Sequence, residues 1–155
     1  MAIKSFETPK VSSKNTVDKS SLKVSTYMRK KLQVFHPQQT LNEVIDILIS
    51  KNISGGPVVN EKNELLGIIS EGDCLKQVSD SRYHNMPEAE KKVEDYMTKS
   101  VKTIEGDTSI FDAVNMFLTE RKRRFPIIEN GKLVGQISQR EVLKAVVKIK
   151  QQYYQ

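Results

Sequence analysis

One cysteine, Cys74, and two histidines, His36 and His84, are all that this 155-residue chain offers to thiol and imidazole chemistry. A single thiol excludes an internal disulfide framework and suits a reducing compartment. The histidines stand apart, Cys74 falls inside a predicted helix, and no metal-ligand spacing or nucleophile and base arrangement appears, so neither a metal centre nor an enzyme is expected. Long apolar runs are missing as well. No stretch approaches the roughly 18 apolar residues of a membrane span, and the N-terminus lacks the apolar core of a signal peptide. A cytoplasmic protein with no membrane partner is expected. The remaining composition, 37% hydrophobic and 28% charged, fits one globular module with an ordinary core.

Charge is short of one sign at one end. The net charge of +6 is already complete at Lys31, because residues 1–31 carry eight basic side chains against Glu7 and Asp18. Residues 1–20 are polar, rich in Ser and Lys and without periodicity, and are read as a disordered basic tail. A solubilising tail is preferred over one that binds nucleic acid, so nucleic acid is not expected as a partner.

The chain contains one sequence unit twice. Tyr27-Met28, Thr40-Leu41, Pro57-Val58-Val59 and Gly67-Ile68-Ile69-Ser70 return as Tyr96-Met97, Ser109-Ile110, Pro126-Ile127-Ile128 and Gly135-Gln136-Ile137-Ser138. The spacing is 69 between Met28 and Met97 but 68 between Ser70 and Ser138, which places a one-residue loss in a single turn. A period of this length exceeds the roughly 20 to 50 residues of solenoids and propellers. Each copy is therefore a small folding unit, and two units packed together create a cleft between them.

Within the first unit, residues 21–78, a short helix ends near Met28 and Leu32 to Phe35 reads as a brief strand. Leu41, Val44, Ile45 and Leu48 follow helical spacing over 40–51. The Pro57-Val58-Val59 strand, a turn over 61–64 and a strand over 65–70 come next, and a helix over 71–78 closes the unit. The second unit, residues 93–150, repeats this order. It has a strand over 101–104, a helix bearing Ile110, Ala113, Val114 and Phe117, strands over 125–128 and 132–138, and a helix over 139–149. Asn130-Gly131 between its last two strands is a two-residue hairpin signal, since both residues tolerate positive φ. Residues 79–92 connect the units, and the fold class is α/β.

Two motifs recur where a strand meets a helix, Ser70-x-x-Asp73 and Ser138-x-x-Glu141. The free amides and partial positive charge of a helix N-terminus attract an anion there. The same spacing is also that of a capping box, as in Thr40-x-x-Glu43 and Ser109-x-x-Asp112, and from the residues alone both readings stand. Before the two prolines lie unlike sequences. Ser54-Gly55-Gly56-Pro57 is uncharged and lets backbone groups be approached closely, whereas Arg121-Lys122-Arg123-Arg124-Phe125-Pro126 offers guanidinium groups suited to bidentate phosphate contact or to a solvated helix C-terminus.

The Tyr-Met start, the Pro-led strand, the Gly-x-Ile-Ser strand and the Ser-x-x-acid, in this order and twice over residues 24–148, resemble the CBS domain. The resemblance implies two tandem β-α-β-β-α repeats related by a pseudo-twofold in one Bateman module. It implies a cleft that binds an adenosine-derived ligand, AMP, ADP, ATP or S-adenosylmethionine, as a regulatory ligand with no required cofactor. By the same resemblance Ser70 and Asp73 contact phosphate and ribose, Ser54, Gly55, Gly56 and Pro57 form one wall, and Arg123, Arg124, Phe125 and Pro126 form the other. Ser138 and Glu141 match the second site, where the longer glutamate departs from the family's aspartate. Also implied are a homodimer, with Val44 and Leu48 or Val114 and Leu118 on the buried faces, and an unknown effector protein. The alternative is a ligand-free interaction module that dimerises and docks a partner.

Overall fold

A computed structural model describes residues 22–84 and 91–153. The tail read over 1–20 and part of the connection lie outside them. The elements in order are α1 (Val24–Tyr27), α2 (Leu41–Lys51), β1 (Gly55–Val59), β2 (Leu65–Ser70), α3 (Glu71–His84), α4 (Val93–Tyr96), β3 (Ile104–Glu105), α5 (Ile110–Glu120), β4 (Arg124–Glu129), β5 (Lys132–Ser138) and α6 (Gln139–Tyr153).

Helices α2 and α5 start and stop alike. Thr40 and Ser109 cap them by accepting from the Glu43 and Asp112 amides at 3.3 and 3.0 Å. Both end in a left-handed residue, Asn52 and Arg121. Their apolar stripes bury Leu41, Val44 and Leu48 in one case and Ile110, Ala113 and Phe117 in the other.

The sheets are a β1-β2 hairpin and a β3-β4-β5 sheet in which β3 runs parallel to β4. The strand expected over 32–35 is reduced to a single bridge, in which Phe35 pairs with Val58 in the parallel sense. Its second-unit counterpart, expected over 101–104, forms only at Ile104–Glu105. Each hairpin shifts register at matching points, between Val58 and Val59 and between Ile127 and Ile128. The missing residue falls in the hairpin turn. Asn130 and Gly131 turn β4 into β5 with φ of 52° and 76°, while the longer first turn is organised by Asn60, whose carboxamide oxygen accepts from the Lys62 and Glu64 amides. Helix α3 continues past Val78, the end expected from sequence, to His84, and α6 past Ile149 to Tyr153.

Packing units and sequence units do not coincide. Val24 is buried with Ile104, Ile110, Phe125 and Ile137, whereas Val93 is buried with Phe35, Leu41, Val58 and Ile69. Backbone bonds repeat this exchange. The Val24 amide donates to Thr108 and the Val93 amide to Gln39, at 2.8 and 2.9 Å. Arg29 and Gln136 exchange both of their backbone bonds, as do Thr98 and Ile68. The first helix of each unit therefore completes the other unit's core.

This crossover explains two recurring sequence features. A Cβ on Gly67 would lie 2.6 Å from the Thr98 carbonyl, and one on Gly135 would lie 2.6 Å from the Met28 sulfur, so only glycine lets the exchanged segment lie flat on the strand. The Tyr-Met pairs mark the segment that crosses. The units also meet at Asn63, which accepts from the Leu133 amide at 2.9 Å and donates its side-chain amide to the Leu133 carbonyl at 2.7 Å.

Candidate ligand cleft

Each hairpin delivers its proline-led strand beside the strand-to-helix corner of the same repeat. Gly55 pairs with Ser70, and the Glu71 amide donates to the Ser54 carbonyl at 2.9 Å. The second repeat copies this corner, with Arg124 paired to Ser138 and the Gln139 amide donating to the Arg123 carbonyl at 3.2 Å. Ser54, Gly55, Ser70 and Asp73 are thus brought together at one corner, and Arg123, Arg124, Ser138 and Glu141 at the other.

Both Ser-x-x-acid motifs make a capping box. Asp73 Oδ2 accepts from the Ser70 amide and hydroxyl at 2.9 and 3.0 Å, and the Asp73 amide reaches Ser70 Oγ at 3.4 Å. Both bonds converge on one oxygen, which leaves Asp73 Oδ1 without a partner among the described residues. Glu141 uses its extra methylene to fold back in the same way, Oε2 accepting from the Ser138 amide at 2.5 Å. The capping reading therefore holds at both corners, and at Asp73, whose side chain is only half buried, it leaves an acceptor oxygen for a hydroxyl donor.

A cleft of about 440 Å³ opens between the repeats. Gly55, Gly56 and Pro57 wall it from the first repeat, and Arg124 enters from the second. Arg29, Lys31, Gln33 and Lys51 complete its polar lining together with Gln136. Ser70 and Asp73 stand beside this space at the Gly55 end and are not among its lining residues. Phe125 is fully buried and meets Phe117 edge to face at 4.8 Å, so its ring belongs to the core. Pro126 is buried beside it. Gly56 serves the chain's own packing, since a Cβ there would come within 2.6 Å of the Gln33 carbonyl and 2.8 Å of the Phe35 ring.

The sequence reading missed Arg29, Lys31, Gln33 and Lys51. A signal was present in Arg29, Lys30 and Lys31, which fall just after the first helix, but their charge was counted with the basic N-terminal excess. No group of three or more His, Cys, Asp or Glu that could hold a metal exists among the described residues. Cys74 is buried in the first repeat's core, and this burial, followed by the neighbouring Asp73 and Glu71 carboxylates, pushes its thiol pKa up. It is packing, not a nucleophile.

Against known proteins, residues 24–80 and 93–148 each match the family model of the CBS domain. The chain is 34% identical over 128 residues to an uncharacterized 17.7 kDa protein from the bps2 3' region of Acidianus ambivalens, a match covering 82% of this chain and 74% of that one. It is 32% identical over 153 residues to the chloroplastic CBS domain-containing protein CBSX1 of Arabidopsis thaliana, where the match spans 82% of this chain and 65% of the relative, just under two thirds of its length. Among solved structures, CBSX2 of the same plant in complex with AMP superposes with a TM-score of 0.71 at 27% identity, over 83% of this chain and 98% of that one.

Proposed function

The chain belongs to the CBS domain family as a tandem pair forming a Bateman module, and we propose that it is a regulatory sensor that binds an adenosine-derived ligand between its repeats. The observation that carries this reading is the cleft itself, walled by Gly55, Gly56 and Pro57 on one side and Arg124 on the other. Beside it Asp73 keeps one carboxylate oxygen open, the acceptor that a ribose diol needs. A related CBS pair, CBSX2, was solved with AMP. Ser70, Ser54, Arg123 and Ser138 serve as flanking contacts at the two corners, while Glu141 acts only as the cap of the second one.

Occupancy is read by a partner protein in the cytoplasm, through a homodimer. The dimer uses two apolar stripes, Ile49 and Leu75 on α2 and α3 and Leu118 and Leu143 on α5 and α6, exposed by 75, 70, 73 and 66%. Of the four residues first expected on these faces, Val44 and Leu48 lie in the core, Val114 packs half-buried against the second core, and Leu118 is exposed. The same stripes favour the second reading, a ligand-free docking module. Native mass spectrometry of the gently purified protein separates the two: a co-purified adenosine compound supports the sensor, and its absence together with failure to bind any added adenine nucleotide or S-adenosylmethionine supports the docking module.

A further inference from the structure

The pseudo-twofold makes each repeat a control for the other. In the first repeat stand Arg29, Lys31, Gln33 and Lys51. The repeat spacing of 69 gives Thr98, Ser100, Lys102 and Glu120 as their counterparts in the second repeat, outside the cleft lining. Two contacts occupy matching positions with opposite electrostatic outcomes. Lys51 Nζ donates to the neutral Gln33 carboxamide and keeps its charge uncompensated. Lys102 instead pairs with Glu120 at 3.9 Å, so that pair is neutral. Arg124 adds a fourth cation to this space from the second repeat, and its first-repeat counterpart, Gly55, brings no charge. No acidic residue lines the cleft, and the only ion pair among the described residues is Lys102 with Glu120.

From this asymmetry we infer that the cleft holds one polyphosphate site per chain, formed by Arg29, Lys31, Lys51 and Arg124, and selects adenosine ligands carrying a di- or triphosphate over S-adenosylmethionine. The inference rests on the proposed adenosine reading and narrows its ligand. Four unpaired cations around one space repel each other, and a chain of phosphate charges relieves this repulsion while guanidinium forks bind its oxygens in pairs. S-adenosylmethionine brings a sulfonium and an ammonium against a single carboxylate, a net positive charge that the same field disfavours. All four side chains are solvent-exposed and their substitution leaves the core untouched.

Calorimetric titration of the full chain with ATP, AMP, adenosine, S-adenosylmethionine and inorganic tripolyphosphate, at low and moderate salt, tests it. The expected result is one ATP per chain, affinity falling from ATP to AMP to adenosine, weakening of ATP with salt, and S-adenosylmethionine weaker than ATP. Lys31→Gln and Arg124→Gln should each weaken ATP roughly tenfold while adenosine is unchanged, and Lys102→Gln should leave both as they were. Equal affinity across the nucleosides, S-adenosylmethionine as tight as ATP, or an equal loss in Lys102→Gln would overturn the inference while leaving the adenosine reading intact. Tripolyphosphate binding as tightly as ATP would overturn the adenosine reading and keep the anion site. Silence from every probe would overturn both.

Discussion

Val24 and Val93 each lie fully buried in the core that the other's sequence unit builds. Because the exchange is reciprocal, neither unit has a closed core without the other. Val24→Ala or Val93→Ala should cost about 2 kcal/mol through lost burial and the cavity left behind. Calorimetric melting should show one cooperative transition for both variants; two separated transitions would mean that the repeats unfold independently.

Asp73 and Glu141 make the same cap but are proposed to differ in ligand contact. Asp73→Ala should lose about 1 kcal/mol of stability and, in addition, about 1.5 to 3 kcal/mol of nucleotide affinity. Glu141→Ala should lose stability alone. Paired denaturation and binding curves distinguish the two, and an unchanged affinity in Asp73→Ala would remove it from the site.

Arg121 ends α5 with φ of 53°, where its counterpart Asn52 is a residue type that accepts the left-handed conformation. Arg121→Asn or Arg121→Gly should therefore raise stability by roughly 0.5 to 1 kcal/mol. Arg121 lies outside the cleft lining, so nucleotide affinity should not move. A fall in denaturation midpoint would contradict this account of the helix end.

The Cys74 thiol has a raised pKa in the folded protein. Above the ordinary thiol value of about 8.5 the unfolded chain releases this proton while the native state retains it, so stability should decline as pH rises through that window. Cys74→Ala should flatten the decline above about pH 8.5 even where it lowers stability overall. Native Cys74 should also resist alkylation until denaturant is added.

Leu75→Glu or Leu143→Glu should convert a dimer to a 17.7 kDa monomer in light scattering, since each puts a charge in the centre of an exposed apolar stripe. A wild-type monomer at tens of micromolar would remove the dimer from the proposal.

Much of this was legible because it repeats. Thr40 and Ser109, the Asn130-Gly131 turn and the apolar stripes of α2 and α5 are local signals, and local signals survive in sequence. The crossover of Val24 and Val93 was not legible, because periodicity says that a residue is buried and not in which core. The strand at 32–35 failed for a related reason: its pairing reduces to one bridge from Phe35, set by the fit against Gly56 rather than by propensity. At the cleft, Arg124 was found through its place before a proline. Arg29 directly follows the Tyr27-Met28 pair, but its charge is indistinguishable in sequence from the N-terminal excess, whereas Lys51 adjoins no motif and is recognised only when the fold brings it to the same space.

The most direct test of the central claim is an isothermal titration of ATP into the full-length protein, followed by thermal melting of the mixture. The account predicts saturable binding at one site per chain and, at about 100 times the dissociation constant, roughly 2.7 kcal/mol of added stability. No heat and no shift in melting temperature with ATP, repeated with AMP, ADP and S-adenosylmethionine, would contradict it.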